Sequence, residues 1–326
     1  MIKKMNVLFS LFIVCSGFIS AQAGDARLNE INTALVKKSD SLWLTGGALG
    51  FDLSQLALIN PKVGGGENRI GFGSITSLFA NYKKDDLSWD NLLSWQMAVQ
   101  RLGSNDNPFT KNIDILRFGT KAGYKIMNKM NGALLGTFES LVFDTYNDFA
   151  LSSTETNFLR AAFLSPATIT LSPGIEYLPD ENLSLFLSPS AYKAILVMND
   201  EIADLGVHGN PWNGPGDFKN IKNEFGASAR ALYKNKFMNK LSLTSDLGLF
   251  YDYFGDNHGL EYIDVIWVNN FGYELIKGLS LNLLLDLRWD KDLKSVTGID
   301  SEGKEILRDD KWMITQALFV KYTHIF

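Results

Sequence analysis

From Trp43 onward the chain alternates apolar and polar residues with a period of two. The segment Leu279 to Asp290 shows it most clearly. Leu279, Leu281, Leu283, Leu285, Leu287 and Trp289 share one face, Ser280, Asn282, Asp286 and Arg288 the other, and only Leu284 breaks the pattern. Successive side chains of an extended chain point to opposite faces, so this alternation predicts a strand with one greasy side and one wet side. Leu241 to Phe254 repeats it, as do Ile263, Val265, Trp267, Phe271 and Tyr273, and Leu318, Val320, Tyr322 and Phe326. Continuing the count predicts about twelve strands, at 42–54, 68–82, 86–101, 113–126, 132–146, 168–178, 182–197, 224–234, 240–254, 262–275, 278–290 and 311–326. Most are longer than the ~5–6 residues usual in soluble proteins and reach the about 9–11 residues that cross a bilayer as a tilted strand.

The connections alternate in length. Short turns fall at Lys83-Asp86, Met127-Asn131, Leu178-Glu181, Asn235-Asn239 and Ile276-Lys277. Longer segments fall at Gln55-Glu67, Leu102-Asn112, Asn147-Ala167, Met198-Asn223, Gly255-Glu261 and Lys291-Asp310. Outer-membrane barrels have this asymmetry, with short periplasmic turns and longer outer loops. The expected fold is therefore all-β, a transmembrane antiparallel up-and-down β-barrel with both termini in the periplasm. A secreted β-sandwich also alternates, but its strands are shorter and bury one face in a shared core. Continuous Leu, Trp and Tyr faces opposite charged ones fit lipid outside and water or charge inside.

The first residues follow a different rule. Lys3 and Lys4, the apolar run Val7 to Ile19 and the small-x-small site Ala21-Gln22-Ala23 predict a secretory signal peptide over 1–23. Residues 24–41 then form a periplasmic lead-in, and 42–326 the barrel. Localisation in the outer membrane of a Gram-negative bacterium follows. The single cysteine, Cys15, lies inside the signal, so the mature chain is expected to lack disulfides, cysteine zinc sites and thiol nucleophiles. Removing Lys3 and Lys4 takes the formal charge from -5 to -7, and no basic run suggests nucleic acid as a partner. The 28 glycines and 12 % aromatics suit strands and interfacial girdles.

Several stretches resemble a known family. Trp43 with Gly46-Gly47, then Leu49-Gly50-Phe51-Asp52-Leu53-Ser54-Gln55 and Gly64-Gly65-Gly66, are similar to the opening of a Bacteroidota outer-membrane β-barrel family of uncharacterised proteins (domain of unknown function 3078). Leu164-Ser165-Pro166-Ala167, Gly174-Ile175-Glu176-Tyr177, Leu183 to Pro189 and Gly206-Val207 are similar to its middle. The family usually has a Trp where this chain reads Ile59-Asn60-Pro61-Lys62. The resemblance implies location and fold and supplies no reaction. Leu318, Val320, Tyr322 and the terminal Phe326 resemble the C-terminal signal read by the barrel-assembly machinery, with His324 a departure from the usual pattern.

Chemistry is sparse. His208 and His258 fall in loops near Asp204, Asp217 and Asp256 without metal-ligand spacing, and no His-Asp-Ser cluster suggests a lipase. Gly64-Gly65-Gly66 lacks the Gly-Lys-Ser/Thr of a phosphate loop. Neither enzyme activity nor a cofactor is expected. The inward face carries the candidates: Arg117, Lys121 and Lys125 on one strand, Glu139 on the next, and Arg230, Asp246, Asp264, Glu274, Asp286 and Arg288 on later ones. They either select a small polar solute or pair with one another to fill the interior. Twelve strands ~4.8 Å apart and tilted near ~40° give a barrel roughly 24 Å across, leaving roughly 10 Å at most between side chains. Met198 to Asn223 is long enough to fold inward as a lid or simply to cover the surface. Two functions follow. One is a narrow gated channel or transporter for a small solute. The other is a non-conducting structural or assembly barrel that binds a partner through its loops or periplasmic segment.

Overall fold

The computed structural model describes residues 42–56, 69–155, 157–238, 240–255, 259–291, 295–299, 305–308 and 312–325. The expected signal peptide and lead-in, the Gly64-Gly65-Gly66 stretch, His258 and Phe326 lie outside the described residues. In chain order the first strands are β1 (Trp43–Leu56), β2 (Arg69–Lys84), β3 (Leu87–Leu102), β4 (Thr110–Met127), β5 (Met130–Ser140), β6 (Thr145–Tyr146), β7 (Leu159–Ala161), β8 (Ala167–Tyr177) and β9 (Leu183–Leu196). A one-turn helix, α1 (Asp200–Ala203), precedes β10 (Trp212–Gly214), β11 (Asp217–Phe218), β12 (Ile221–Phe237) and β13 (Leu241–Asp252). The chain continues through β14 (Ile263–Ile276), β15 (Leu279–Trp289), β16 (Ser295–Ile299), β17 (Glu305–Arg308) and β18 (Met313–Ile325).

Twelve of these close a barrel in the order β1-β2-β3-β4-β5-β8-β9-β12-β13-β14-β15-β18. Each strand pairs with the next barrel strand in sequence, and β1 returns to β18 with Phe51 opposite Tyr322 and Leu53 opposite Val320. This is the up-and-down barrel the alternation predicts. The turns β2–β3, β4–β5, β12–β13 and β14–β15 are tight, and each carries a residue of positive φ: Asp85, Lys129, Met238 and Gly278. Such residues reverse a strand within a few positions. The other seven connections between barrel strands are longer, save β8–β9, a brief one that Asp180 caps by accepting from the Asn182 and Leu183 amides.

One predicted strand ends early. The alternation ran through 132–146, but β5 stops at Ser140. Beyond it the Val142 and Phe143 amides donate to the Asp114 carboxylate at 3.2 and 2.7 Å rather than to a neighbouring strand. A charged acceptor outcompetes the ladder there.

The outer wall is apolar. Leu78, Leu93, Phe118, Ile169, Leu171, Ile175 and Leu187 stand exposed across adjacent strands. At the short-turn end Trp43 contacts Tyr82 and Trp89, with ring centres 5.2 and 5.9 Å away, and Tyr124, Tyr177, Tyr273 and Tyr322 are exposed at the same end. At the long-loop end lie the pairs Trp95–Phe143, Tyr192–Phe225 and Trp289–Trp312. Along β12 the two belts are marked by Tyr233 and Phe225, which puts them roughly 20 Å apart along the axis for a strand tilted ~40°. Two aromatic girdles around an apolar band of about 25 Å are what a bilayer requires of a barrel. The fold is that of a transmembrane β-barrel.

Loops at the far end fold as well. Val197, Ile202 and Ala203 are buried together, with Leu159 and Ala162 of the preceding loop packed against them. Asn199 caps α1 by accepting from the Ile202 amide, and the Met198 amide donates to the Leu164 carbonyl. The hairpins β6–β7 and β10–β11 belong to the same lobe. The Met198-Asn223 segment thus meets its neighbouring loop through its own small core.

Candidate functional site

The barrel interior divides into two arcs. At mid-barrel the inward positions of β2, β14 and β15 are tightly packed. Val268 is 0 % exposed and Leu284 1 %, beside Ile75, Ser77, Phe79, Asn270 and Asn282, all buried. Register explains the contact: Thr244 stands opposite Asn270, which stands opposite Leu284, so one row of inward side chains runs across three strands. Leu284, the one exception to the alternation in β15, is apolar because it belongs to this packed half.

The other arc, β3 to β12, is charged, with carboxylates of β13 and β14 at its border. Arg117 on β4 stands opposite Glu139 on β5, and its Nε lies 3.3 Å from Oε2. One step nearer the short-turn end, Lys121 Nζ lies 2.8 Å from Glu176 Oε1 and 3.8 Å from Asp90 Oδ2. Asn131 and Ser184 also donate to Glu176. Arg230 forks onto Asp246, Nε to Oδ1 at 2.9 Å and Nη2 to Oδ2 at 2.6 Å. At the long-loop end Lys193 Nζ lies 2.7 Å from Glu224 and 3.0 Å from Asp264, while Lys222 reaches Glu224 at 2.6 Å. At the short-turn rim Lys236 pairs with Glu274 at 3.3 Å. Taking charges out of water is costly, and partners of opposite sign at these distances offset that cost.

Of the sequence-predicted residues, Arg117, Lys121, Glu139 and Arg230 sit in this ladder, and Asp246, Asp264 and Glu274 are their or their neighbours' partners. Lys125 is on the same parity, opposite Asn131, but exposed at the short-turn rim. Arg288 is half-buried, opposite Ile266. Asp286 holds a register position opposite Val268 and Thr315, and its side chain lies outside the described residues. Val320 and Tyr322 of the C-terminal motif are exposed on the outer wall; the Leu318 side chain lies outside the described residues.

Sequence reasoning missed Asp90, Glu176, Lys193 and Glu224. For Lys193 the cause is a bulge. On β9, Ser184, Phe186 and Ser188 face inward, but so do Ala191 and Lys193, because the register against β12 shifts between Ser188 and Ala191. Pro189 sits at that shift and is the signal that marks it, since proline within a strand is tolerated mainly at edges or bulges. Gly226 on β12 faces the same irregularity, and a Cβ there would stand 1.8 Å from the Tyr251 carbonyl oxygen. A second shift, between Ala98 and Val99, turns Lys111 to the outer face beside Asp114, which shares the outward parity of Phe118 and is buried beneath Trp95 and the 142–143 backbone.

In the lobe, His208 Nε2 lies 3.1 Å from the Arg160 carbonyl oxygen. Burial holds its pKa below the ordinary histidine value. Among the described residues, no group of three or more His, Cys, Asp or Glu side chains is placed to hold a metal ion.

Comparison with known proteins gives a partial family match and likeness to several solved structures. The model of a family described as Protein of unknown function (DUF3078) matches residues 53–146. No curated protein sequence matches the chain. Among solved structures, it is similar to the translocator domain of the autotransporter NalP from Neisseria meningitidis, at 11 % identity and a TM-score of 0.39, covering 93 % of this chain and 95 % of that one. It is also similar to the COG4313 outer membrane channel from Pseudomonas putida F1, at 13 % identity and a TM-score of 0.42, covering 89 % and 100 %. The NanC porin is a third, at 8 % identity and a TM-score of 0.39, covering 86 % and 99 %.

Proposed function

We propose that this barrel is a narrow channel for a small polar solute, closed by its own ion pairs in the state described here. One observation carries the reading. Paired charges form a ladder along one arc of the inner wall from the short-turn rim to the long-loop mouth, while the opposite arc is packed with apolar and amide side chains. Lys121 and Arg230 side chains keep 31 % and 27 % exposure, so parts of the ladder still touch water. A polar solute moving along such a wall exchanges partners step by step and never faces bare hydrocarbon. Arg117, Lys121, Lys125, Glu139, Arg230, Asp286 and Arg288 are the proposed lining residues.

The rest of the assignment follows the sequence. Residues 1–23 direct export, the short turns face the periplasm of a Gram-negative cell of the Bacteroidota, and the Leu318 to Phe326 motif is read by the barrel-assembly machinery. A second reading, a non-conducting barrel that presents a binding lobe, is favoured by the dry packing of Val268 and Leu284 and by the folded loops. Planar-bilayer recording of the purified full chain separates the two. Channel function gives discrete conductance that grows when Arg117→Ala and Glu139→Ala are combined, a change that widens the lumen without leaving a lone charge. Silence in both, and after deletion of Met198-Asn223, leaves the lobe reading.

A further inference from the structure

The charge cluster at the long-loop mouth has a composition that a structural ion pair does not need. Lys222, Glu224, Lys193 and Asp264 form a linear chain of alternating sign, with links of 2.6, 2.7 and 3.0 Å. Lys193 and Glu224 are direct cross-strand neighbours on β9 and β12. The last link is different: it joins β9 to β14 across two intervening strands, over the face of Phe250, whose ring centre lies 5.1 Å from Nζ. The side chains of Lys193, Lys222 and Asp264 retain 14 %, 19 % and 18 % exposure, so solvent reaches three of the four groups.

We propose that this cluster is a solute filter selective for small zwitterions. The inference rests on the channel reading and specifies its substrate class. The argument is one of charge exchange. A lone anion arriving at the cluster takes a lysine from its carboxylate, and a lone cation does the converse. Either leaves a shielded charge without a partner, which is the expensive outcome. A neutral solute offers nothing in return for an opened pair. A small zwitterion replaces both halves at once, its carboxylate accepting from Lys193 and Lys222 and its ammonium donating to Glu224 and Asp264. No charge of the cluster is then left without a partner. The Lys193–Asp264 link is the one that opens, because it is the longest of the three and no backbone pairing holds its two strands together.

Four solutes of nearly one size test this: glycine (zwitterion), glycolamide (neutral), glycolate (anion) and glycinamide (cation), as fluxes into proteoliposomes of the full chain. Glycine is expected to pass about tenfold faster than the other three, a factor that corresponds to about 1.4 kcal/mol. The double variant Lys193→Met/Asp264→Asn, which removes one balanced pair, is expected to pass glycolamide at least as fast and to lose the preference for glycine. Lys193→Arg, which keeps the charge, is expected to keep it. Equal passage of all four solutes by the unmodified chain overturns the filter while leaving the channel, as does a preference that survives in the double variant. Absence of passage for every solute, together with silence in bilayers, overturns the channel reading itself. Heat-modifiable gel mobility verifies that each variant is folded, and the four-solute comparison on the unmodified chain decides the matter should the double variant fail to fold.

Discussion

Asp114→Asn is expected to release the outer lobe while leaving the barrel intact. The Asp114 side chain is 0 % exposed and Lys111 beside it 5 %, with 3.2 Å between them. The carboxylate also accepts from the Phe143 amide at 2.7 Å, the Val142 amide at 3.2 Å and the Trp95 indole at 3.2 Å, while Lys111 donates to the Phe143 carbonyl at 2.7 Å. Three of these contacts tie the start of the β5–β8 connection to the wall. An amide in place of the carboxylate keeps the shape but leaves a buried lysine without its counter-charge. Breaking a buried pair from one side costs about 3–5 kcal/mol. The loss is local, because these contacts hold residues 141–143 and not the barrel ladder. A cost of about 3 kcal/mol raises the population of the detached loop on the order of a hundredfold, and proteolysis follows that population when reclosing is fast. Arg160 is the only Lys or Arg between residues 141 and 166, so trypsin reports the opening by one cut. The assay is the rate of that cut in folded, heat-modifiable protein. Lys111→Met combined with Asp114→Asn removes the stranded charge and is expected to recover most of the protection. Unchanged cleavage in the single variant refutes the clamp, and a double variant as labile as the single refutes the charge argument.

Three further outcomes follow from burial and position. Phe118→Arg puts a cation on the apolar band and is expected to cost about 2–4 kcal/mol of folding free energy in lipid vesicles, measured by urea titration, with Phe118→Leu near neutral; a negligible cost for the arginine argues against a lipid-facing wall there. Ile202→Ala empties the lobe core and is expected to cost about 2–4 kcal/mol locally, seen as faster hydrogen exchange across 197–220 with unchanged barrel mobility on gels. His208 has its pKa lowered by burial, so the opened lobe binds the proton more tightly than the folded one. Lobe stability is then full above the ordinary histidine pKa of about 6.5 and falls as pH drops below it toward the folded value. Hydrogen exchange at 197–210 measured against pH checks this, and His208→Gln is expected to flatten the profile.

The alternation was informative because a barrel in lipid leaves each strand little choice. Its outer face must be apolar and its backbone fully paired with neighbours, so strand length, strand number and the short-turn, long-loop rhythm are all written locally. All twelve predicted segments overlap barrel strands, and the edge that failed, 141–146, failed because a charge from another strand captured its amides. Parity is also local until a bulge intervenes. One extra residue near Pro189 turns Lys193 inward, and one opposite Val99 turns Lys111 outward; a strict count of two carries past both without notice.

The sequence by itself determined the element set, the lipid-facing residues and most members of the charged face, since each depends on neighbours two positions away. The tertiary structure alone decided who pairs with whom. Lys121 and Glu176 are 55 residues apart, and Lys193 and Asp264 are 71 apart. Their meeting depends on strand order, register shifts and closure of β1 onto β18. Strand order also separates a packed arc from a charged one, and the β8–β9 pairing brings two neighbouring loops together over Ile202. Those are consequences of how strands are arranged around an axis, which no local pattern of apolar and polar residues encodes.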